Sequence, residues 1–226
     1  FTHIRPHPIH ISFPYTTSSV LSKGGGTGFF VQAPSGKTFI MTNSHVCGLK
    51  NSKNEINVTL ANNDSVKRKV VQEYTTHDLC LVETVEGIDG LSVASSVDVG
   101  ESVYIVGHPK LFPLVVSPAQ YIGEQAIAIF YGSIFNFPTV RATDPREVTA
   151  IENKLMRSES NSEGLTGLQI LLSSQFVGYS RGGNSGSAIV NLSGEVVSVL
   201  FAGNPGDNQE TYAVPLNEIN NFLKYR

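Results

Sequence analysis

The sequence predicts an all-β fold closed by a C-terminal α-helix, and three observations carry that prediction. Short apolar runs recur along the chain, at Phe29 to Val31, Phe39 to Met41, Val103 to Val106, Leu168 to Leu172, Ala188 to Val190 and Val196 to Phe201, with Gly, Asn, Ser and Pro between them. The composition agrees: 226 residues with 21 Gly, 11 Pro and 40% hydrophobic residues suit a barrel-type unit with frequent tight turns. Leu216, Ile219, Phe222 and Leu223 then fall at helical spacing behind Pro215, a residue suited to a helix start, so 215–226 reads as an amphipathic helix.

Taken in order, residues 1–23 resist assignment to an element. His3, His7 and His10 invite a metal site, but Pro6 and Pro8 forbid the helix that would align them, and the segment reads as a docking arm or leader. Gly36-Lys37-Thr38 resembles the end of a phosphate-binding loop, yet the glycine required five residues earlier is Val31, and the site falls in a hairpin. Residues 141–165 collect Arg141, Asp144, Arg146, Glu147, Glu152, Lys154, Arg157, Glu159 and Glu163, and read as a helix or an excursion of the surface. A formal net charge of -3 gives no basic footprint for nucleic acid. No apolar run approaches the ~20 residues of a membrane span.

The chemistry centres on Arg181-Gly182-Gly183-Asn184-Ser185-Gly186-Ser187, a serine in a glycine-rich turn. Glycines at 182, 183 and 186 allow backbone conformations barred to other residues, so amide N–H groups can turn inward beside Ser185 and bind an oxyanion. Serine hydrolases on unrelated folds differ in the chain order of serine, histidine and acid. All six histidines precede Ser185, which excludes the order in which histidine follows serine. An acid before the histidine would require His77 or His108, because the first 50 residues contain no Asp or Glu. His77 adjoins Asp78 on what reads as a strand, where neighbours face opposite sides, and His108 lies in the turn Gly107-His108-Pro109. The remaining order is histidine, acid, serine. His45 follows the apolar run 39–42 where the chain changes direction, and Asp78 opens the apolar segment Leu79 to Val82.

These segments resemble a trypsin-like serine protease of the chymotrypsin fold, on the HtrA-like branch. The likeness runs through Gly26-Thr27-Gly28-Phe29-Phe30-Val31, Thr42-Asn43-Ser44-His45-Val46, His77-Asp78-Leu79-Cys80-Leu81-Val82, Val99 to Pro109 and Gly183-Asn184-Ser185-Gly186-Ser187-Ala188-Ile189-Val190. Ser193 to Val199, Tyr212-Ala213-Val214-Pro215 and the closing helix continue it. The resemblance implies two six-stranded antiparallel barrels in one protease domain, about 24–110 and 111–214, followed by the helix at 215–226. Ser185 would be the nucleophile, His45 the general base and Asp78 the residue orienting it, with the N–H groups of Gly183 and Ser185 as the oxyanion hole and no cofactor or metal. Tyr179 and Ser180 would line the base of the primary specificity pocket. Leu200, Phe201, Ala202 and Gly203 would form its wall and the edge to which an extended polypeptide adds.

No acid marks that floor, so small or medium apolar side chains are expected at the cleaved position. Digestive relatives carry Asp before the nucleophile to pair with a new N-terminal amine; Asn184 cannot do so by charge, and activation by N-terminal insertion is not expected. Absence of an initiating Met suggests an excised or processed product. The resemblance also implies a homo-oligomer, although no trimer motif is legible, and the compartment stays open. Cys47 and Cys80, each two residues beyond a proposed triad member, permit a disulfide in principle, but spacing alone does not show that their side chains meet, and free, buried thiols are the default expectation. Two rival readings stand: a latent protease-fold peptide-binding module, and a structural β-barrel with a vestigial triad.

Overall fold

A computed structural model describes residues 8–12, 25–48, 51–61, 64–111, 113–130, 133–136, 168–203 and 209–226. The mostly β architecture expected from the sequence is observed, as two antiparallel sheets. Strands β1 (Pro8–Ser12), β2 (Gly25–Gln32), β3 (Thr38–Thr42), β4 (Glu55–Thr59), β5 (Ser65–Tyr74) and β6 (Leu79–Val82) close into a barrel in the order β1-β2-β3-β6-β5-β4. Strand β1 completes it by pairing with both β2 and β4. Part of the segment read as a docking arm is therefore a barrel strand, and the barrel begins at Pro8 rather than near residue 24. A proline is tolerated there because it is the first residue of the strand.

The second sheet contains β7 (Ser102–Gly107), β8 (Val115–Phe130), β9 (Ser133–Asn136), β10 (Leu168–Gly178), β11 (Ala188–Val190), β12 (Val196–Gly203) and β13 (Glu210–Val214), in the order β10-β13-β12-β11-β7-β8-β9. It curls until β8 pairs with β10 along a long ladder, from Leu168 opposite Phe130 to Gly178 opposite Ala119. Every apolar run singled out above lies in one of these strands. Gly36, with φ 83°, sits in the turn between β2 and β3, as a hairpin requires. The whole of the charged stretch 141–165 and the histidines at 3 and 7 lie outside the described residues.

Strand alternation divides the apolar side chains among three packed layers. Phe30, Ile40, Val46, Ile56, Val58, Val70 and Val82 fill the closed barrel. Val103, Ile105, Phe176, Ile189, Val197 and Leu200 fill the curled sheet. Phe29, Val31, Met41, Leu79 and Leu81 point the other way and meet Val106, Val190, Val199, Tyr212 and Val214 between the halves. Strands buried on both faces read as continuous apolar runs rather than as alternation, which is the pattern in the sequence. Burying each such side chain contributes on the order of 1.5–3 kcal/mol, so the layer between the halves holds them firmly together.

Two short helices complete the scaffold. Helix α1 (Ser44–Cys47) follows β3 directly and carries His45. Helix α2 (Leu216–Leu223) buries Leu216, Ile219, Phe222 and Leu223, the stripe predicted from their spacing. Its apolar face enters the layer between the halves, and Phe222 stacks on Tyr74 of β5 with ring centroids 5.6 Å apart. The helix thus touches the closed barrel as well as the second sheet, because its buried stripe is wide enough to reach both.

Candidate active site

His45 follows the C-terminal end of β3 and Asp78 precedes the start of β6, and because the two strands are antiparallel, with Thr42 opposite Cys80, both residues lie at the same end of the ladder and meet at the rim of the barrel. His45 Nδ1 lies 2.7 Å from Asp78 Oδ2, and the His45 backbone N–H donates to Asp78 Oδ1 at 2.9 Å. Both carboxylate oxygens are therefore committed to one residue, which fixes the ring's orientation and favours the tautomer with its proton on Nδ1. Asp78 closes a short 3₁₀ turn in the left-handed region at φ 53°, a conformation that Asp and Asn adopt more readily than bulkier residues. Asn43 Nδ2 donates to the Asp78 carbonyl at 2.9 Å and secures that turn. The carboxylate side chain is mostly covered and the imidazole half exposed, at 18% and 50%.

Cys47 and Cys80 are bonded to each other, with S–S 2.06 Å, so the expectation of free thiols is overturned. The register of β3 with β6 supplies the reason: Thr42 faces Cys80, and helix α1 folds Cys47 back over that position.

Ser185 lies in the loop before β11, against the closed barrel. Its carbonyl accepts the Thr27 N–H at 2.7 Å. A Cβ built at Gly26 would lie 2.7 Å from a Val46 methyl and 2.8 Å from that same Ser185 carbonyl, so Ser185 and the neighbour of His45 close on one glycine. The Ser185 hydroxyl donates to the Phe201 carbonyl at 3.4 Å, rather than to His45.

Around Ser185 the loop uses some amides and spares others. Asn184, Gly186 and Ser187 donate to the carbonyls of Arg181, Leu200 and Asn184 at 3.0, 2.8 and 2.8 Å. The N–H groups of Gly183 and Ser185 donate to no acceptor among the described residues. Gly183 and Gly186 have φ of 94° and 84°, the left-handed backbone the sequence reading required of them.

The candidate pocket residues separate. Ser180 is buried, its hydroxyl 3.0 Å from Thr211 Oγ1, which also donates to the Gly178 carbonyl at 3.0 Å. Gly203 packs against the Ser180 hydroxyl so closely that a Cβ there would collide with it. Tyr179 is 40% exposed and turned to Arg181, whose Nε donates to the phenol at 3.2 Å. Leu200 and Phe201 are buried, Ala202 is half-buried and Gly203 exposed. Strand β12 pairs with β11 from Val196 to Val199, so among the described residues no strand pairs with the β11 side of Phe201 to Gly203, and a bulge falls between Leu200 and Ala202.

Sequence reasoning missed Thr27, Asn43 and Thr211. Thr27, between two glycines, and Asn43, two residues before His45, each stood in a motif already singled out, whereas Thr211 had no local signal. Among the described residues no cluster of His, Cys, Asp and Glu could hold a metal, and no helix is long and apolar enough to cross a membrane.

A family model described as trypsin-like peptidase domain matches residues 26–199. The chain is 24% identical over 202 residues to a serine protease Do-like HtrA of Lactobacillus helveticus, covering 86% of this chain and 41% of that protein. It is also 24% identical over 206 residues to HtrA-like serine proteases of Staphylococcus aureus, covering 88% of this chain and 23% of theirs. The chain thus spans less than half the length of these curated relatives. Among solved structures, the active form of the Rv3671c protease from M. tuberculosis aligns with TM-score 0.67 and 18% identity over 97% of this chain and 79% of that one. The serine endoprotease from Yersinia pestis aligns with TM-score 0.61 and 15% identity over 97% of this chain and 62% of that one.

Proposed function

The chain belongs to the trypsin-like peptidase domain family, with a chymotrypsin-like fold and distant HtrA-like relatives, and from that premise we propose that it is a serine endopeptidase. Ser185 Oγ attacks the scissile carbonyl while His45 Nε2 takes its proton. The tetrahedral intermediate expels the amine, protonated by His45, and leaves an acyl-enzyme that water hydrolyses by the same steps in reverse. Asp78 holds the Nδ1–H and offsets the charge of the imidazolium. The N–H groups of Gly183 and Ser185 stabilise the oxyanion, a contribution of roughly 3–4 kcal/mol per donor in comparable sites. The observation that carries this reading is the two-point clamp of Asp78 on His45, on a helix whose next residue abuts the same glycine as Ser185.

The polypeptide would add as a strand to the edge at Phe201 to Gly203, in line with the family's substrate class. The close approach of Ser180 to Gly203 supports a narrow pocket, and small or medium apolar side chains at the cleaved position. A cleavage profile of a peptide library dominated by Arg overturns that preference.

A latent or peptide-binding state is the second reading, favoured by the Ser185 hydroxyl pointing to the Phe201 carbonyl. Labelling with a fluorophosphonate probe separates the two. An activated nucleophile labels in the native chain and not in Ser185→Ala; no labelling in either favours the latent state.

A further inference from the structure

Thr27 grips the serine loop at two points from the opposite half of the molecule. Its N–H donates to the Ser185 carbonyl at 2.7 Å and its hydroxyl donates to the Gly183 carbonyl at 2.9 Å. The same hydroxyl oxygen accepts the His108 N–H at 3.0 Å. The residue is fully buried, and its own carbonyl accepts the Thr42 hydroxyl at 2.7 Å, so the gripping group is itself fixed. One residue beyond the turn at His108 and Pro109, Lys110 adopts φ 53° and donates its N–H to the Gly182 carbonyl at 2.5 Å.

These bonds decide which way the loop's peptides face. In a trans peptide the C=O and N–H point in opposite directions, and no cis bond occurs among the described residues. Holding the Gly182 carbonyl toward Lys110 turns the Gly183 N–H the other way. Holding the Gly183 carbonyl toward Thr27 turns the Asn184 N–H to the Arg181 carbonyl, 3.0 Å away. The Gly182–Gly183 peptide is flanked by two residues without a Cβ, and rotates with little steric resistance unless it is anchored.

We propose that Thr27 is a positioning residue of the oxyanion hole: its hydroxyl links the His108 N–H to the Gly183 carbonyl and fixes the Gly183–Asn184 peptide, so that the adjoining Gly182–Gly183 peptide, anchored by the Lys110 N–H on the Gly182 carbonyl, keeps its Gly183 N–H facing the substrate carbonyl. The assignment of that hole rests on the endopeptidase reading; the peptide-orienting role of Thr27 does not. A hydroxyl suits the place because it donates and accepts at once. Serine retains that capacity, whereas valine keeps the shape and removes it.

The test compares Thr27→Val and Thr27→Ser with the native chain in two measurements. Steady-state hydrolysis of a fluorogenic casein should show kcat lowered about 10- to 100-fold in Thr27→Val with KM little changed, and near-native kcat in Thr27→Ser. The Gly183 amide resonance in a 15N–1H spectrum should move in Thr27→Val and hold in Thr27→Ser, while resonances of β4 and β5 stay in place. Native kcat with an unmoved Gly183 resonance in Thr27→Val overturns the proposal, as does a serine variant impaired as deeply as the valine one. Thr27→Ala gives the same readout if the valine variant does not fold. Should the native chain neither hydrolyse casein nor label with fluorophosphonate, the endopeptidase reading fails, and the Gly183 resonance still decides whether Thr27 orients the peptide.

Discussion

The disulfide between Cys47 and Cys80 ties the chain just beyond His45 to the chain just beyond Asp78, so one covalent link spans the two segments whose side chains pair at the barrel rim. Both sulfurs are buried within the closed barrel's own core, beside Val46 and Val82.

Reduction should therefore be felt in stability and at His45 together. Opening a cross-link of sequence separation 33 costs about 3–4 kcal/mol through the entropy of the unfolded chain. Urea unfolding of oxidised and thiol-reduced protein should differ by that amount, and reduced protein should hydrolyse casein more slowly. Coincident unfolding curves would show that the link stabilises nothing.

Asp78→Asn should retain the fold, because asparagine tolerates the left-handed backbone at φ 53° nearly as well as aspartate. The amide cannot stabilise the imidazolium, and a fall in kcat of about 10⁴-fold is expected. Steady-state kinetics beside a circular dichroism melt make the measurement; a variant within tenfold of native rate, on a rough scale, refutes the role given to Asp78.

Gly186→Ala and Gly182→Ala should behave oppositely. At Gly186 the backbone has φ 84°, and a methyl would run into the Thr27 carbonyl and the Thr42 hydroxyl. Strain and overpacking together should lower stability by at least about 2 kcal/mol. At Gly182 a methyl meets nothing within 4 Å, and stability should stay within about 0.5 kcal/mol of native. Guanidinium titrations of the two variants decide the matter.

Glu124 on β8 is pushed above the ordinary glutamate value of 4.5, first by burial and then by the charge of Glu218 on α2. Glu218 in turn faces His77 of the first barrel, with Oε2 3.5 Å from Nε2. A raised carboxyl holds its proton longer when folded than when unfolded, so stability falls as pH rises from about 4.5 through the folded value. Glu124→Gln removes that loss. Its Tm relative to native should climb over this window and level off above it; parallel Tm curves for the two proteins would contradict the assignment.

Much of this molecule was legible from local pattern. The strands at 29–31, 39–41, 103–106, 168–172, 188–190 and 196–201 and the stripe of α2 lie where their periodicities placed them, because burial acts on each segment's own alternation. The pairing of His45 with Asp78 was within reach of the sequence too, since the order histidine, acid, serine behind the proposed triad needs only residue identity and sequence position. The Cys47–Cys80 bond, the barrel strand at Pro8–Ser12 and the exposed position of Tyr179 were not. Each depends on how strands pair across tens of residues, and a shift of one residue would turn every side chain to the other face.

Thr27 shows the division most plainly. Its sequence setting marks it only as a residue between glycines, where a hydroxyl has no evident partner. Its partners Gly183 and His108 lie 156 and 81 residues away, brought within reach when the curled sheet packs on the barrel. Residue identity and period determined which segments form strands, which faces they bury and which side chains can do chemistry. The tertiary structure alone decided which of those side chains meet and which backbone amides stay unused, because hydrogen bonds and disulfides act over a few ångströms and those separations exist only after the two sheets have docked.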